Sequence, residues 1–237
     1  MVIDLKDCLV YFSDGNEMTG AVNHMAGYTS GATTIVVDGF TGQVPAGSFL
    51  TIDGKDGFQV VSTIETTGNT TSITFTPALT SSVADNAVVV AGARFVRIKV
   101  GEGTISWSEK KPRQYVKDRG KLDSVRNGDE EPMDVSFTMQ YEFVTASSGD
   151  APTPEDVLKH RGEAADWESA ETDDPCAPFC VNIRILHTPP NCTSVDKELV
   201  LLEKFYYEDL AHDVKAGTIQ CTGKCNKTEA TVTRIAQ

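Results

Sequence analysis

The chain has 237 residues, 40% hydrophobic and 23% charged, which is close to the globular average and excludes wholesale disorder or a collagen-like chain. Its 34 acidic and 21 basic residues give a formal net charge of −13, which argues against tight nucleic-acid binding because a phosphate backbone needs a basic face. No apolar run reaches the roughly 18 residues of a membrane span, and residues 1–7 lack the features of a secretion signal. We therefore expect folding in the cytosol and no membrane partner. DNA that slides past an acidic surface without binding remains compatible.

Residues 27–92 differ in composition from the rest of the chain, with thirteen threonines and no cysteine. Turn residues such as Asp38-Gly39 and Asp53-Gly54 separate short β-like runs. The runs are Thr34–Val37, Phe49–Ile52, Phe58–Val61, Ser72–Phe75 and Ala87–Val90. Five strands at this spacing predict a small β-barrel or sandwich, inserted into a second domain made of residues 1–26 and 93–237.

The clearest strand of the second domain is predicted over 133–145, where hydrophobic and polar residues alternate. The apolar face carries Val135, Phe137, Met139, Tyr141 and Phe143. The polar face carries Asp134, Ser136, Thr138, Gln140 and Glu142. One face is therefore expected to be buried and the other wet.

Further elements make the predicted fold mainly β with one short helix. Thr153 and Pro154 suit the start of a helix that Gly162 would end, and 162–175 is interpreted as an acidic surface loop of low local stability. A change in apolar parity across Gly101–Gly103 predicts a bend. Later strands are expected at Val181–Leu186, Leu199–Tyr207, Thr218–Cys221 and Thr231–Ile235.

Two neighbouring segments carry opposite charge. Residues 109–126 hold seven basic and three acidic residues, whereas 127–174 hold fourteen acidic and two basic ones. The basic residues are Lys110, Lys111, Arg113, Lys117, Arg119, Lys121 and Arg126. Complementary patches favour head-to-tail contact between copies, and two solvated loops are the alternative.

Catalytic signatures are missing from the sequence. It has no phosphate-binding glycine loop, nucleophile elbow or His-Glu-x-x-His motif, and its four histidines are scattered. No catalytic residue is therefore predicted, and the chain is not expected to be an enzyme.

Five cysteines lie in the last third of the chain: Cys176, Cys180, Cys192, Cys221 and Cys225. Two pairs spaced four residues apart leave structural zinc open as an alternative, although strand spacing would hold Cys221 and Cys225 roughly 13 Å apart. A disulfide formed after release from the cell is a second alternative. Reduced, packed thiols and no cofactor are the expectation.

Several runs resemble, in their order, the major tail tube proteins of long-tailed, siphovirus-like bacteriophages. They are Ile98–Gly103, Ser108–Lys111, Tyr115–Asp123, Arg126–Pro132, Asp174–Pro178, Pro189–Cys192, Phe205–Asp213, Gly217–Ile219 and Gly223–Asn226. The resemblance covers residues 94–237 well and 1–22 loosely. Residues 27–92 depart from the family pattern and resemble threonine-rich β modules that phage virion proteins carry as insertions.

The resemblance implies a structural virion protein with a β-sandwich or barrel fold and a flanking helix. Six copies would form a ring in which four strands of each continue one inner barrel. Rings would self-assemble into a tube that conducts double-stranded DNA during ejection. Its partners would be copies of itself and other tail proteins at the tube ends. Assembly would take place in the host bacterial cytoplasm, and the finished protein would reside in the virion tail.

Two surfaces receive roles on this interpretation. The polar set Asp134, Ser136, Thr138, Gln140 and Glu142 is the candidate lumen lining, with an outward solvent face as the alternative. The basic set from Lys110 to Arg126 is the candidate arm that docks on the next ring. The inserted module would lie outside the tube. A head-tail connector or completion ring, a capsid decoration protein, and an enzyme or carbohydrate-binding module remain alternatives.

Overall fold

The computed structural model describes residues 8–40, 44–66, 70–142, 152–174, 176–187 and 197–235. These residues form strands and one short helix, α1 (Pro154–Leu158). In chain order the strands are β1 (Cys8–Ser13), β2 (Met18–Val22), β3 (Thr34–Asp38), β4 (Phe49–Ile52), β5 (Lys55–Thr66), β6 (Thr70–Thr76), β7 (Val88–Ala91), β8 (Phe95–Ile98), β9 (Ile105–Ser108), β10 (Arg113–Asp118), β11 (Lys121–Asn127), β12 (Met133–Gln140), β13 (Val181–His187), β14 (Lys197–Asp213), β15 (Thr218–Cys225) and β16 (Thr231–Ile235). The predicted mainly-β fold with one short helix is confirmed.

Strands β2 to β7 close into a barrel in the order β2-β3-β6-β5-β4-β7. The barrel has its own core, in which Ile35, Ile52 and Ile73 are fully buried. All five strands expected between residues 27 and 92 are present. The barrel starts earlier than the predicted boundary at residue 27, because β2 pairs with both β3 and β7 and so supplies the strand that closes it.

The other strands, apart from β10 and β11, form an eight-stranded sheet: seven follow the order β8-β1-β13-β14-β15-β12-β9, and β16 pairs with β14 beside this path. Strand β14 is long enough to change partners: its first half pairs with β13 and β16, and its second half with β15. The sheet has a separate core in which the rings of Phe12, Phe137 and Phe205 meet with centroids 5.7 and 5.8 Å apart. The barrel and the sheet thus fold around different cores.

The alternating segment forms β12, and its predicted inward face is confirmed for Val135, Phe137 and Met139, which are buried. The strand is shorter than predicted. It ends at Gln140. Tyr141 follows it, donates its N–H to the carbonyl of Gly217 and is exposed. Phe143 lies outside the described residues.

The predicted bend at Gly101–Gly103 is a turn between β8 and β9. Gly101 adopts φ +61°, a conformation that favours glycine. The turn joins the two ends of the sheet, and β12 bonds to it on both sides: Thr138 N–H donates to Thr104 C=O and Gln140 N–H to Lys99 C=O. The sheet therefore curls back toward its own first strand.

Helix α1 begins as predicted, with a capping box in which Thr153 accepts from the Asp156 N–H and donates to its carboxylate. The expectation of a weakly held loop over 162–175 is wrong. Ala164 and Trp167 are buried in the sheet's core, and the Glu171 carboxylate is bound by Lys204 Nζ at 2.8 Å. Only a few apolar residues anchor this segment, which is why the sequence pattern did not indicate that it is held.

The two linkers to the barrel are clamped to each other. The fully buried carboxylate of Asp14 accepts from Arg94 N–H at 2.8 Å and from Arg94 Nε at 3.2 Å, and Arg94 also binds Asp166 at 2.7 Å. Burial raises the pKa of Asp14, and the hydrogen bonds and charge of Arg94 oppose that rise. Beside the clamp, the Phe49 ring of the barrel stacks on Phe95 of the sheet at 3.7 Å. These contacts fix the barrel on the sheet.

Candidate assembly surfaces

The polar residues predicted on one strand lie on a wider polar face. Asp134, Ser136, Thr138 and Gln140 project from β12 away from the core, since the residues between them are buried. Across the strands, Ser136 lies opposite Ser106 of β9 and Thr222 of β15. The face therefore spans β9, β12, β15 and the second half of β14.

Sequence reasoning missed the contributions of β14 and β15 to this face. Six residues extend the rows that β12 begins: Thr218, Gln220, Thr222, Lys224, Asp209 and Asp213. The alternation within β15 could have predicted its polar face, because Ile219, Cys221 and Cys225 are buried and alternate with less buried residues. Cysteine acts as a small hydrophobic residue there.

The two carboxylates predicted for this face, Asp134 and Glu142, both pair with lysines. Lys110 Nζ lies 2.7 Å from Asp134 Oδ2, and this hydrogen bond holds the pKa of Asp134 below its usual value. Lys224 lies 3.6 Å from Glu208 on the same sheet. Glu142 is not on the strand at all: it follows β12 and pairs with Lys99 at 2.9 Å. Hydroxyl and amide groups therefore dominate the face.

Strand β9 leaves one edge of this face open. Thr138 N–H donates to Thr104 C=O. The backbone groups of every second residue in a strand point the same way, so those of Ser106 and Ser108 also point to β12. The backbone groups of Trp107 therefore point to the other side. Among the described residues no backbone partner meets that side of β9. The Trp107 side chain is 38% exposed beside it.

The second half of β14 leaves the opposite edge open. Pairing with β13 stops at Phe205, whereas pairing with β15 continues to Asp213. Tyr141 N–H donates to Gly217 C=O, so Gly217 and every second residue after it direct their backbone groups toward β12. The residues of β15 between them bond to β14. By the same alternation in β14, the backbone of His212 points away from β15. In the part of the chain that the structure describes, this stretch has no strand on that side.

The basic segment forms a two-stranded hairpin rather than a loop. Among the described strands, β10 and β11 pair only with each other. Arg119 and Gly120 both have positive φ, as a two-residue hairpin turn of type I′ requires. Every residue of the two strands is exposed. Lys117, Lys121 and Arg126 thus lie on a projecting arm, together with Arg119.

The other basic residues assigned to the arm hold its base. Lys110 binds Asp134 as described, and Lys111 pairs with Glu229. Arg113 begins β10, and its side chain hydrogen bonds to Asn127 across the hairpin. Lys110 therefore links the arm directly to the polar face, which the sequence did not indicate.

The arm is also amphipathic. Tyr115 lies opposite Val125, and Lys117 opposite Leu122, so three apolar side chains share one face with Lys117. Tyr115, Leu122 and Val125 are 61%, 70% and 57% exposed. A lone two-stranded hairpin is marginally stable in water, so a surface that covers this face would stabilise it.

The acidic segment is partly neutralised within the chain. Glu155 pairs with Lys159 at 2.6 Å, and other carboxylates of 127–174 are bound by Arg94, Arg161 and Lys204. Exposed acids without an ion pair in the described ranges are Asp129, Glu130, Glu163, Glu168 and Asp174. Any acidic counter-surface for the arm is therefore smaller than the sequence suggested.

Three of the four described cysteines in this group are packed in the interior. Cys180, Cys221 and Cys225 are buried, and burial raises the pKa of Cys221 and Cys225 to about 12. Cys176 is exposed, and Cys192 lies outside the described residues. Within the described ranges no three His, Cys, Asp or Glu side chains converge as a metal site would require.

Nor does the described part of the chain contain a helix with the length and apolar character needed to cross a membrane. Comparisons of the chain with protein-family models, with curated proteins and with solved structures gave no match.

Proposed function

We propose that the chain is the structural subunit of a phage tail tube, in which hexameric rings stack into a conduit for DNA. The observation that carries the proposal is the polar-faced set of β9, β12, β15 and β14, open at both edges. Open edges are sites for adding further strands, and monomeric proteins commonly cover or interrupt them. Joining β9 of one copy to β14 of the next would satisfy both edges and continue the face around a ring.

The chemistry of the face fits a wet lumen. Ser136, Thr138, Thr222 and Gln220 offer uncharged hydrogen-bonding groups, and few unpaired cations are present to anchor a phosphate. Duplex DNA could therefore pass without being held.

The arm supplies contact between rings. Its exposed apolar side chains suit an interface that is both apolar and electrostatic, together with four cations that have no ion pair within the described ranges: Lys117, Arg119, Lys121 and Arg126. Ring-to-ring contact is therefore expected to weaken in salt.

Proline at the open edges tests the joining of strands. Trp107→Pro and His212→Pro remove backbone donors that point outward, which an isolated edge strand tolerates and a paired one does not. We expect both variants to stay folded by circular dichroism and to lack the rings and tubes that we expect negative-stain microscopy to reveal for the unchanged chain.

Trp107→Ala and His212→Ala are the matched controls, since they truncate the same side chains but keep the N–H. Assembly should persist in them. Normal tubes from both proline variants would contradict the proposal. Single rings from the unchanged chain would instead favour the connector or decoration alternative.

A further inference from the structure

A lysine, an asparagine and a buried glutamate meet where β14 and β15 begin to pair. Lys204 C=O accepts from Asn226 N–H at 2.9 Å, so the two residues are direct cross-strand neighbours. Lys204 has φ +54°, and its N–H is held by Asn182 Oδ1 at 2.9 Å, which turns this position out of the regular strand. Both side chains then reach Glu171.

Glu171 contacts the two side chains through different oxygens. Lys204 Nζ lies 2.8 Å from Oε1, and Asn226 Nδ2 lies 3.3 Å from Oε2. The Glu171 side chain is 5% exposed, and that of Lys204 is 16% exposed. A second carboxylate, Asp173, touches Lys204 Nζ at 2.9 Å but is largely exposed and has no contact with Asn226 in the described residues.

We propose that Lys204 and Asn226 react to form an intramolecular amide bond, with Glu171 as the proton relay. An amine and a carboxamide on neighbouring strands, bridged by one buried carboxylate, provide the nucleophile, the electrophile and the acid–base group of such a reaction. The inference does not depend on the tail tube proposal.

The atoms balance without an oxidant or cofactor. Glu171 Oε1 takes a proton from the Lys204 ammonium, and the freed Nζ attacks Cγ of Asn226 to form a C–N bond. The protonated carboxyl then donates its proton to Nδ2, the Cγ–Nδ2 bond breaks, and ammonia leaves. Glu171 takes the second proton from Nζ and passes it to the ammonia, which departs as ammonium. The product joins Nζ to Cγ as a secondary amide.

The cross-link would close a covalent loop from residue 204 to residue 226 at the base of the open-edged half of the sheet. Because Glu171 and Asp173 hold the amine as an ammonium, the reaction should be slow and should accelerate at alkaline pH.

Intact-mass spectrometry of the denatured full chain, before and after prolonged alkaline incubation, tests the proposal. The expected result is a mass lower than that of the unmodified chain by one ammonia. Tryptic digestion should yield one branched species that joins Glu198–Lys215, uncleaved at Lys204, to Cys225–Lys227.

Lys204→Arg and Glu171→Gln should retain the full mass, whereas Asp173→Asn should still react because Glu171 remains. Asn127-Gly128 can also lose ammonia by closing a succinimide, and the peptide map separates that event from the cross-link. Full mass after incubation, or an ammonia loss that maps to Asn127 alone, would overturn the proposal.

Discussion

The barrel and the eight-stranded sheet are both built from β-strands, but only the sheet has open edges. In the barrel each strand has a neighbour on both sides, and its order closes on itself. In the sheet, β9 and the second half of β14 each keep one unpaired side among the described residues. A closed barrel needs no further partner, whereas an open sheet leaves backbone groups for one.

The difference separates two roles within one chain. The closed barrel is attached to the sheet by the Asp14–Arg94 clamp and the Phe49–Phe95 stack, and contributes no strand to the open face. The sheet carries the polar face, its two edges and the base of the arm. Damage to the barrel should therefore leave assembly intact, and damage to the sheet should abolish it.

Matched phenylalanine truncations in the two cores should give the largest effects. Phe137→Ala in the sheet and Phe75→Ala in the barrel each remove a ring that is 1% exposed, at a cost of about 3–5 kcal/mol. Calorimetry measures the loss, and negative-stain microscopy at a temperature below unfolding measures assembly. Only Phe137→Ala should lose assembly; equal loss from both would erase the distinction between the two regions.

Breaking the clamp between the linkers should have the next largest effect. Arg94→Ala leaves the buried Asp14 carboxylate without its cation, which costs about 3 kcal/mol of folding stability. Arg94→Lys keeps a charge but not the two-point contact, so its loss should be smaller. Urea unfolding provides the measurement, and an unchanged midpoint for Arg94→Ala would show that the clamp contributes nothing.

Acid should weaken the contact of α1 with β14 by a smaller amount. Burial raises the pKa of Glu155, but hydrogen bonds from Lys159 and His212 and the charge of Arg161 outweigh it and hold the pKa below its usual value. A lowered pKa stabilises the fold above the unfolded-state value of about 4.3, and this stability is lost as pH falls below it. Glu155→Gln should therefore be destabilised at pH 7 and show a shallower loss between about pH 5 and pH 2. Urea unfolding at several pH values measures this. If Glu155→Gln and the unchanged chain lost the same free energy of unfolding across that range, the prediction would be contradicted.

Charge reversal on the arm should have the smallest effect on stability. Lys117, Arg119 and Lys121 are exposed on a hairpin that pairs with no other described strand, so reversing all three to Glu should change the free energy of unfolding by about 0.5 kcal/mol or less. The same triple variant should form rings or monomers that no longer polymerise. Tubes of normal length from it would refute the docking role of the arm.

The sequence predicted strands best where alternation was strong. The alternation in β12 and the turn residues between the barrel strands are both local features of the sequence. Both predicted strands that the structure contains. Local order could not reveal that β2 closes the barrel, because that closure depends on pairing with β7, far along the chain.

The candidate surfaces were predicted only in part. The polar residues of β12 were identified from alternation, but their neighbours on β14 and β15 depend on a register that no local pattern specifies. The binding of Lys110 to Asp134 joined two sets that the sequence treated as separate. Trp167 is buried and anchors a segment that the sequence predicted to be loosely held, because one apolar residue among many charged ones gives no visible pattern.

Electron cryo-microscopy of the assembled full-length chain tests the central claim most directly. The account predicts hollow tubes in which β9 of each copy hydrogen bonds to the Asp209–Asp213 stretch of β14 in its neighbour, with Ser136 and Thr222 facing the bore. Assemblies in which both edges stay unpaired, or a chain that remains monomeric at high concentration, would contradict it.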